Sequence, residues 1–322
     1  MVRRLTLLAL LLVVGCDLPQ AHGDANAIIV GMVEDDWLPI EDRVHDQLEP
    51  TIQTVTDERA YRIQWYDPSQ GGRWTDLRKF RQVLVVGSAD DPWVEQALEV
   101  HGEPLAAPGL VTVRNVWSRD QHVHIAVVDD PEDLLPLLDE VHQRIDEQFR
   151  RHTLSRMFTS GRDTILADSL RREVGFALTL PNVYRYSVQD SVFRFRNDNP
   201  TPSERIREIV VTWRTPIPDT LPDRDRMIEL RTDLAAEYYP QAQQVLTHVE
   251  VFRELDPGVE FQASWSSPED AWPAGGPFIS RAIPCPDQDR LYYLDAWLYS
   301  PGTGKYEYMI QLQTILDSFA CG

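Results

Sequence analysis

Three times in its first half the chain writes a short apolar run, an acidic pair and then a helix-like stretch. The segments are "AIIVGMVEDDW" from Ala27, "VLVVGSADDPWVEQALEV" from Val83 and "IAVVDDPEDLLPLLDEV" from Ile125. Unbroken β-branched runs mark buried strands. Strands that alternate with helices imply a sheet with parallel members, because parallel neighbours are joined by a crossover. "YRIQWYD" from Tyr61 and "LVTVRNVW" from Leu110 read as further strands, the second pairing antiparallel with "HVHIAVV" from His122. Residues 27–158 are thus expected to form a mixed-sheet βα domain.

"TSGRD", Thr159 to Asp163, carries a helix stop and a new N-cap. A short helix to about Glu173 makes residues 159–175 a linker. Residues 176–322 are richer in strands: "FALTL", "YRYSVQDSVFRFR", "REIVVTWRT", "VLTHVEVFREL", "VEFQASWSS" and "RLYYLDAWLYS". Helical stretches, "DRDRMIELRTDLAAEYY" and "YEYMIQLQTILDSF", interrupt them, and prolines at 200, 202, 216, 218 and 222 fence the early strands with loops. The expected fold class is α+β with mixed α/β character, the second domain predominantly antiparallel.

The N-terminus speaks of location. Arg3 and Arg4 precede the apolar run Leu5 to Val14, which is too short for a span of about 20 residues and suits a secretory signal. Val13-Val14-Gly15-Cys16 resembles the bacterial lipobox. On that resemblance residues 1–15 are removed, and Cys16 carries a diacylglyceryl thioether and an N-acyl chain. More than one acyl chain gives stable anchoring. Residues 16–26 are then a lipidated cysteine and polar tether, reaching at most roughly 35 Å. The protein is expected in a bacterial cell envelope, facing the periplasm, with the choice of inner or outer membrane open.

Loss of Arg3 and Arg4 leaves 29 basic against 51 acidic residues, a net charge of −22. Nucleic-acid binding needs a basic face that displaces counterions from phosphates, and that charge opposes it. It also opposes lying flat on anionic lipid, so the membrane is met through the lipid alone. Apolar content of 43% with nine Trp indicates folded cores.

Motifs for chemistry fail one by one. The acidic pairs Asp35-Asp36, Asp90-Asp91 and Asp129-Asp130 have the oxygen ligands that hard cations take. Asp at a helix start is better read as a cap that complements the helix dipole. Acid there also speaks against nucleotide phosphates. "SPGTGKYEY" fails as a phosphate loop, with Tyr299 where a glycine is required and Tyr306 where a hydroxyl ligand is required. "AGGPF", Ala274 to Phe278, reads as a tight turn. His122 and His124 share the outward face of a strand with no third ligand at a telling spacing. No G-x-S-x-G elbow or H-E-x-x-H helix occurs. No metal or cofactor is implied. Cys285 and Cys321 lack a nucleophile's context; an oxidising compartment permits them to bridge, and two separate buried thiols are the other reading.

One strand offers a recognition surface. In "LYYLDAWLYS", alternation puts Tyr292, Leu294, Ala296 and Leu298 on one face and Tyr293, Asp295, Trp297 and Tyr299 on the other. Large amphipathic rings beside a carboxylate are the composition of recognition surfaces. Asp295, Trp297 and Tyr299, beside the Gly275-Gly276 turn and the Gly302–Gly304 loop, are the candidate partner surface. Burial of that face under the C-terminal helix is the alternative.

"FRFR" (Phe193 to Arg196), "EIVVTWRTP", "IELRTD", "FQASW", "GGPFIS" and "LDAWLYSPGTGKYEYMIQLQTIL" resemble, in order, a family of bacterial envelope lipoproteins common in the Bacteroidetes group and catalogued as a domain of unknown function. "IIVGMVEDDW" and "RNVWSRDQHVHIAV" are similar to its N-terminal half, so the likeness covers nearly all of the mature chain. The chain departs from it in lacking a Gly-Ser-Tyr-Met-like segment after Tyr239. The resemblance implies fold and location and brings no activity. The functional expectation is therefore a membrane-anchored, non-catalytic binding or scaffolding lipoprotein with a protein or glycan partner. An envelope hydrolase whose site is assembled only by the fold is the competing expectation.

Overall fold

The computed structural model describes residues 18–52, 57–198, 205–302 and 304–322. The lipobox and Cys16 lie outside the described residues. The chain divides into two compact units, Met1–Leu48 with Arg62–His142, and Glu49–Tyr61 with Gln143–Gly322.

The first unit begins with β1 (Ala27–Gly31), α1 (Glu34–Trp37) and α2 (Glu41–Leu48). A small ribbon, β2 (Thr51–Ile52) with β3 (Glu58–Arg59), belongs to the second unit. The chain then runs through β4 (Arg62–Tyr66), α3 (Trp74–Leu77), β5 (Gln82–Gly87), α4 (Pro92–His101), β6 (Gly109–Arg114), β7 (His122–Val127) and α5 (Leu138–Met157). Sheet order is β4-β1-β5-β7-β6. The first four strands are parallel, and β6 closes the edge antiparallel. Every residue of β5 and β7 is buried, which is why "QVLVVG" reads as an unbroken apolar run rather than an alternation.

That two-sided burial corrects the expectation of an outward histidine face. His124 is fully buried; its Nδ1 lies 2.9 Å from the Thr112 hydroxyl and its Nε2 3.2 Å from the Gln82 side-chain carbonyl. The acidic pairs divide in role. Asp130 accepts from the Glu132 N–H at 2.9 Å and caps the short 3-10 helix Pro131–Leu137. Asp91 turns back to accept from the Ser88 N–H at 2.8 Å, and α4 starts without a side-chain cap.

The second unit contains α6 (Thr164–Glu173), β8 (Phe176–Ala177), β9 (Arg185–Gln189), β10 (Val192–Asn197) and β11 (Ile206–Arg214). After them come α7 (Arg224–Tyr238), β12 (Gln244–Leu255), β13 (Gly258–Ser266), β14 (Gly275–Cys285), β15 (Arg290–Tyr299), α8 (Tyr306–Asp317) and β16 (Ala320–Cys321). Seven strands form an antiparallel sheet in the order β12-β13-β14-β15-β11-β10-β9. Asp163 and Asp223 cap α6 and α7, each accepting an N–H at 2.9 Å. Met227, Leu234 and Ala235 of α7 cover one sheet face, against Phe261, Trp265, Phe278 and Trp297. Leu312, Ile315 and Leu316 of α8 and Leu170 of α6 cover the other, against Phe195, Ile209, Leu294 and Leu298. A mixed sheet and a separate antiparallel sheet, both with helices, make the chain an α+β protein, as its sequence pattern implied.

One central strand departs from the expectation. Gly275 to Phe278 is no turn; it opens β14, which pairs with both β13 and β15. A β-carbon on Gly276 would lie 1.7 Å from the Leu298 carbonyl oxygen and 3.2 Å from the Trp265 indole nitrogen. Glycine is there because the backbone is approached closely.

Cys285, at the end of β14, is bonded to Cys321, with Cα atoms 5.9 Å apart and a sequence separation of 36. The bridge ties the segment after α8 to the sheet, where β16 also pairs with β8. Closing a loop of this length contributes about 3–4 kcal/mol in the chain-entropy model. Alkylation of the denatured, unreduced protein should leave both cysteines unlabelled, and reduction should lower the melting temperature. Two labelled thiols per chain before reduction would contradict the bridge.

Candidate functional site

The expected partner surface on β15 does not exist. Asp295 is wholly buried, Trp297 is 1% exposed and Tyr299 is half-buried. The reason is α7, which lies over the face that alternation leaves outside the other core. Trp297 packs edge-on against Trp265 and at a tilt against Tyr239, both with ring centroids 5.5 Å apart. Asp295 forms an ion pair with Arg231 Nε at 2.9 Å. It also accepts from the Ser280 hydroxyl at 2.5 Å and from the Tyr239 hydroxyl. Rings beside a carboxylate here describe a core with an internal ion pair.

In the first unit, open parallel sheets offer a binding crevice where strand order reverses, outside the carboxyl ends of the strands. The reversal falls between β1 and β5. Gly31 at the end of β1 faces Trp74 and Pro68, so close that a β-carbon would meet the Trp74 ring at 2.6 Å. The nearby carboxylates are used locally: Asp67 accepts from the Ser69 N–H at 2.9 Å, and Asp91 from Ser88. A filled crevice rimmed by acid is poorly suited to a phosphate-bearing ligand. Among the described residues no group of three or more His, Cys, Asp or Glu side chains has a metal-binding arrangement.

The second unit holds a cavity of about 400 Å³, lined by five separated segments, one of them Asn197 at the end of β10. Arg156 and Met157 come from the end of α5, Tyr184 from the turn before β9, Arg205 and Arg207 from the start of β11, and Glu307, Tyr308 and Gln311 from α8. Alternation sets Arg205 and Arg207 on one strand face. Their guanidinium groups sit 4.2 and 5.4 Å from the centroid of the Tyr308 ring. Arg207 Nη1 donates to the Gln311 side-chain carbonyl at 3.0 Å. Arg156 stands at the mouth, 61% exposed and 3.7 Å from Glu307. Among the described residues, three arginines against one carboxylate line the cavity, within a chain of net charge −20.

Tyr184 decides the chemistry. It is 7% exposed, and its hydroxyl finds no hydrogen-bond partner. Burial pushes its pKa up to about 12, and the Arg207 charge pulls it only partly back. At neutral pH the hydroxyl is therefore a neutral donor. Asn197 and Gln311, both buried, add amide groups to the lining. The arrangement can hold an acceptor-rich ligand. None of Arg156, Tyr184, Arg205 and Arg207 was singled out from sequence. One trace existed, in "RIREIVV" (residues 205–211): paired arginines opening an otherwise apolar strand.

Residues 163–318 match a family described as a domain of unknown function, DUF4837. Residues 21–161 match another, DUF8532. Each half of the chain thus falls with uncharacterised domains. No protein of curated function matches the chain. Solved structures that resemble part of it include the Ran-binding protein Mog1p of Saccharomyces cerevisiae, at 13% identity and a TM-score of 0.31, over 46% of this chain and 90% of that one. Cyanobacterial PsbP from Synechocystis gives 13% and 0.32, over 46% and 87%. LpqN of Mycobacterium tuberculosis, described as involved in cell envelope biogenesis, gives 13% and 0.31, over 46% and 85%.

The burial of Trp297 has a measurable consequence. Trp297→Ala should destabilise the chain by about 3–5 kcal/mol, the cost of a large cavity in a packed core. Denaturant titration checks this, and a loss below about 1 kcal/mol would mean the residue lies at the surface after all.

Proposed function

We propose that the chain is a lipid-anchored, extracytoplasmic binding protein of a bacterial envelope, and that the arginine-lined cavity of its second unit is the ligand site. The observation that carries the binding half is a cavity lined by arginines and a buried Tyr184 that keeps its proton. General acid–base catalysis needs a group whose pKa lies near the working pH. Tyr184 lies far above it. Glu307, the one carboxylate lining the cavity, stands beside Arg156. This favours retention of a ligand over its hydrolysis.

Two features support the location. Val13-Val14-Gly15-Cys16 follows a short apolar run behind two arginines. The Cys285–Cys321 bridge is of a kind that persists in oxidising compartments. Among the described residues no helix is long and apolar enough to cross a membrane.

Fractionation of a bacterial host tests the anchor. The unaltered chain should run at mature size in the membrane fraction and incorporate labelled palmitate. Cys16→Ser should be soluble or remain an unprocessed precursor; a mature-sized Cys16→Ser chain in membranes would remove the lipoprotein reading. The binding half is tested by incubating the purified protein with envelope extract and analysing what it retains by mass spectrometry. A compound held unchanged, and lost in Arg207→Gln, is the expected result. Turnover of an extract component to a new product would favour the hydrolase instead.

A further inference from the structure

We propose that the cavity recognises a phosphate ester, binding its oxyanion through Arg207, Arg205 and Tyr184 with Arg156 at the mouth. The proposal rests on the binding reading above and names the class of ligand.

Charge is the first argument. A cavity whose lining holds three arginines and one carboxylate attracts an anion even though the whole chain repels one, because nearby charges in a concave, partly desolvated wall dominate over distant ones screened by salt. Preorganisation is the second. Tyr308 stacks beneath both Arg205 and Arg207, and Gln311 takes one Arg207 donor. The forks are thus held before a ligand arrives, so little side-chain freedom is lost on binding.

Unmet hydrogen bonding is the third argument and does not depend on charge. Arg207 Nε is buried without an acceptor, and so is the Tyr184 hydroxyl, whose nearest charged influence is Arg207 itself. Both atoms are closed to water, so the Tyr184 hydroxyl and the Arg207 fork must turn toward the cavity their side chains line before an oxyanion supplies acceptors to both. A cationic or apolar ligand would leave both unmet. Geometry separates phosphate from carboxylate: donors come from the end of α5, the turn before β9 and the start of β11. A tetrahedral group accepts from several directions, whereas a carboxylate is best met in its own plane. Size extends the inference beyond the ion. About 400 Å³ lies in the range of small-molecule sites, roughly 300–1,000 Å³, so the phosphate carries a body. Met157, Pro181 and Val183 offer that body apolar wall, and Thr159 and Ser160 offer hydroxyls.

The test uses the full-length chain in maltoside micelles with methionine methyl groups labelled for NMR, because the Met157 methyl reports on the cavity it lines. Sulfate, inorganic phosphate and glycerol 3-phosphate should each shift that resonance and saturate, with acetate at least about tenfold weaker. Arg207→Gln and Arg205→Gln should each weaken the phosphate probes about tenfold or more. Tyr184→Phe should weaken them while keeping or raising the melting temperature, since it removes an unpaired buried hydroxyl; a merely structural tyrosine would show no binding loss. Tyr184's contribution to sulfate affinity should stay flat from about pH 7 to about pH 10, because its hydroxyl holds its proton throughout.

Two arms separate the sources of phosphate. Phosphatidylcholine vesicles containing phosphatidylglycerol that displace glycerol 3-phosphate, where pure phosphatidylcholine vesicles do not, identify a lipid headgroup. Displacement by neither identifies a soluble phosphate ester. Either result supports the proposal. Phosphate probes that leave Met157 unmoved, or that bind Arg207→Gln as well as the unaltered chain, overturn it. If a neutral glycan moves Met157 and the anions do not, the binding reading stands and the phosphate class falls. If neither the probes nor envelope extract moves Met157, both fall.

Discussion

Asp295 sits in the middle of β15 with no exposure to water, and Arg231 of α7 lies 2.9 Å away, equally buried. A charge taken out of water is costly unless it is paired and hydrogen-bonded, and removing one partner of such a pair costs about 3–5 kcal/mol. Ser280 on β14 and Tyr239 at the end of α7 complete the carboxylate's acceptor positions. Three elements therefore meet at one side chain. α7 cannot shift along the sheet without stranding a charge, and β14 and β15 hold their register beneath it. A purely apolar contact would permit more sliding, because close packing alone accepts many near-equivalent fits. With α7 fixed on one face, the sheet's other face is left to α8 and α6, and the polar cavity forms at the margin of that second layer.

The sequence was most legible where local pattern and final environment agree. Ile28 to Val30, Val83 to Val86 and Ile125 to Val127 are fully or almost fully buried, and an unbroken apolar run is what a doubly covered parallel strand must be. It was least legible at β14. Gly275, Gly276 and Pro277 look like punctuation, and Pro284 near the other end removes a second backbone donor. Only the close passage of the Leu298 carbonyl explains Gly276, and that neighbour lies 22 positions away in the sequence. The β15 error had the opposite cause. Alternation separated its two faces correctly, but periodicity cannot say whether a second helix layer covers the amphipathic one.

The cavity was illegible for a further reason. Its donors come from the end of α5, the turn before β9, the start of β11 and α8, and no two of those segments are adjacent in the chain. Motif searches look for chemistry at fixed spacing, and here the spacing is set by the sheet. The two units also use charge differently. Acid in the first unit is spent on turns and helix starts, as with Asp67, Asp91 and Asp130. In the second, arginine is placed against carboxylates where structure needs it: Arg194 and Arg196 donate to buried Glu208 at 2.7 and 2.8 Å, and Arg281 to buried Glu260 at 2.7 Å. Arg207 is held differently, by the Tyr308 ring and the Gln311 amide.

That exception bears on why Tyr184 is a tyrosine. A buried hydroxyl without a partner costs about 1–3 kcal/mol relative to one that is bonded, and phenylalanine would fill nearly the same volume without that cost. Other tyrosines of the unit divide: Tyr292 donates its hydroxyl to the Gly175 carbonyl at 3.0 Å and Tyr61 to Asp146 at 2.6 Å, whereas the buried Tyr293 hydroxyl is unmet among the described residues, as that of Tyr184 is. Folded chains break such local rules mainly at functional sites. At Tyr184 the break coincides with a buried, unsatisfied Arg207 Nε and with a cavity wide enough for a ligand. Both side chains line one cavity, and an acceptor bound there that drew the two donors toward it would remove the cost of both at once.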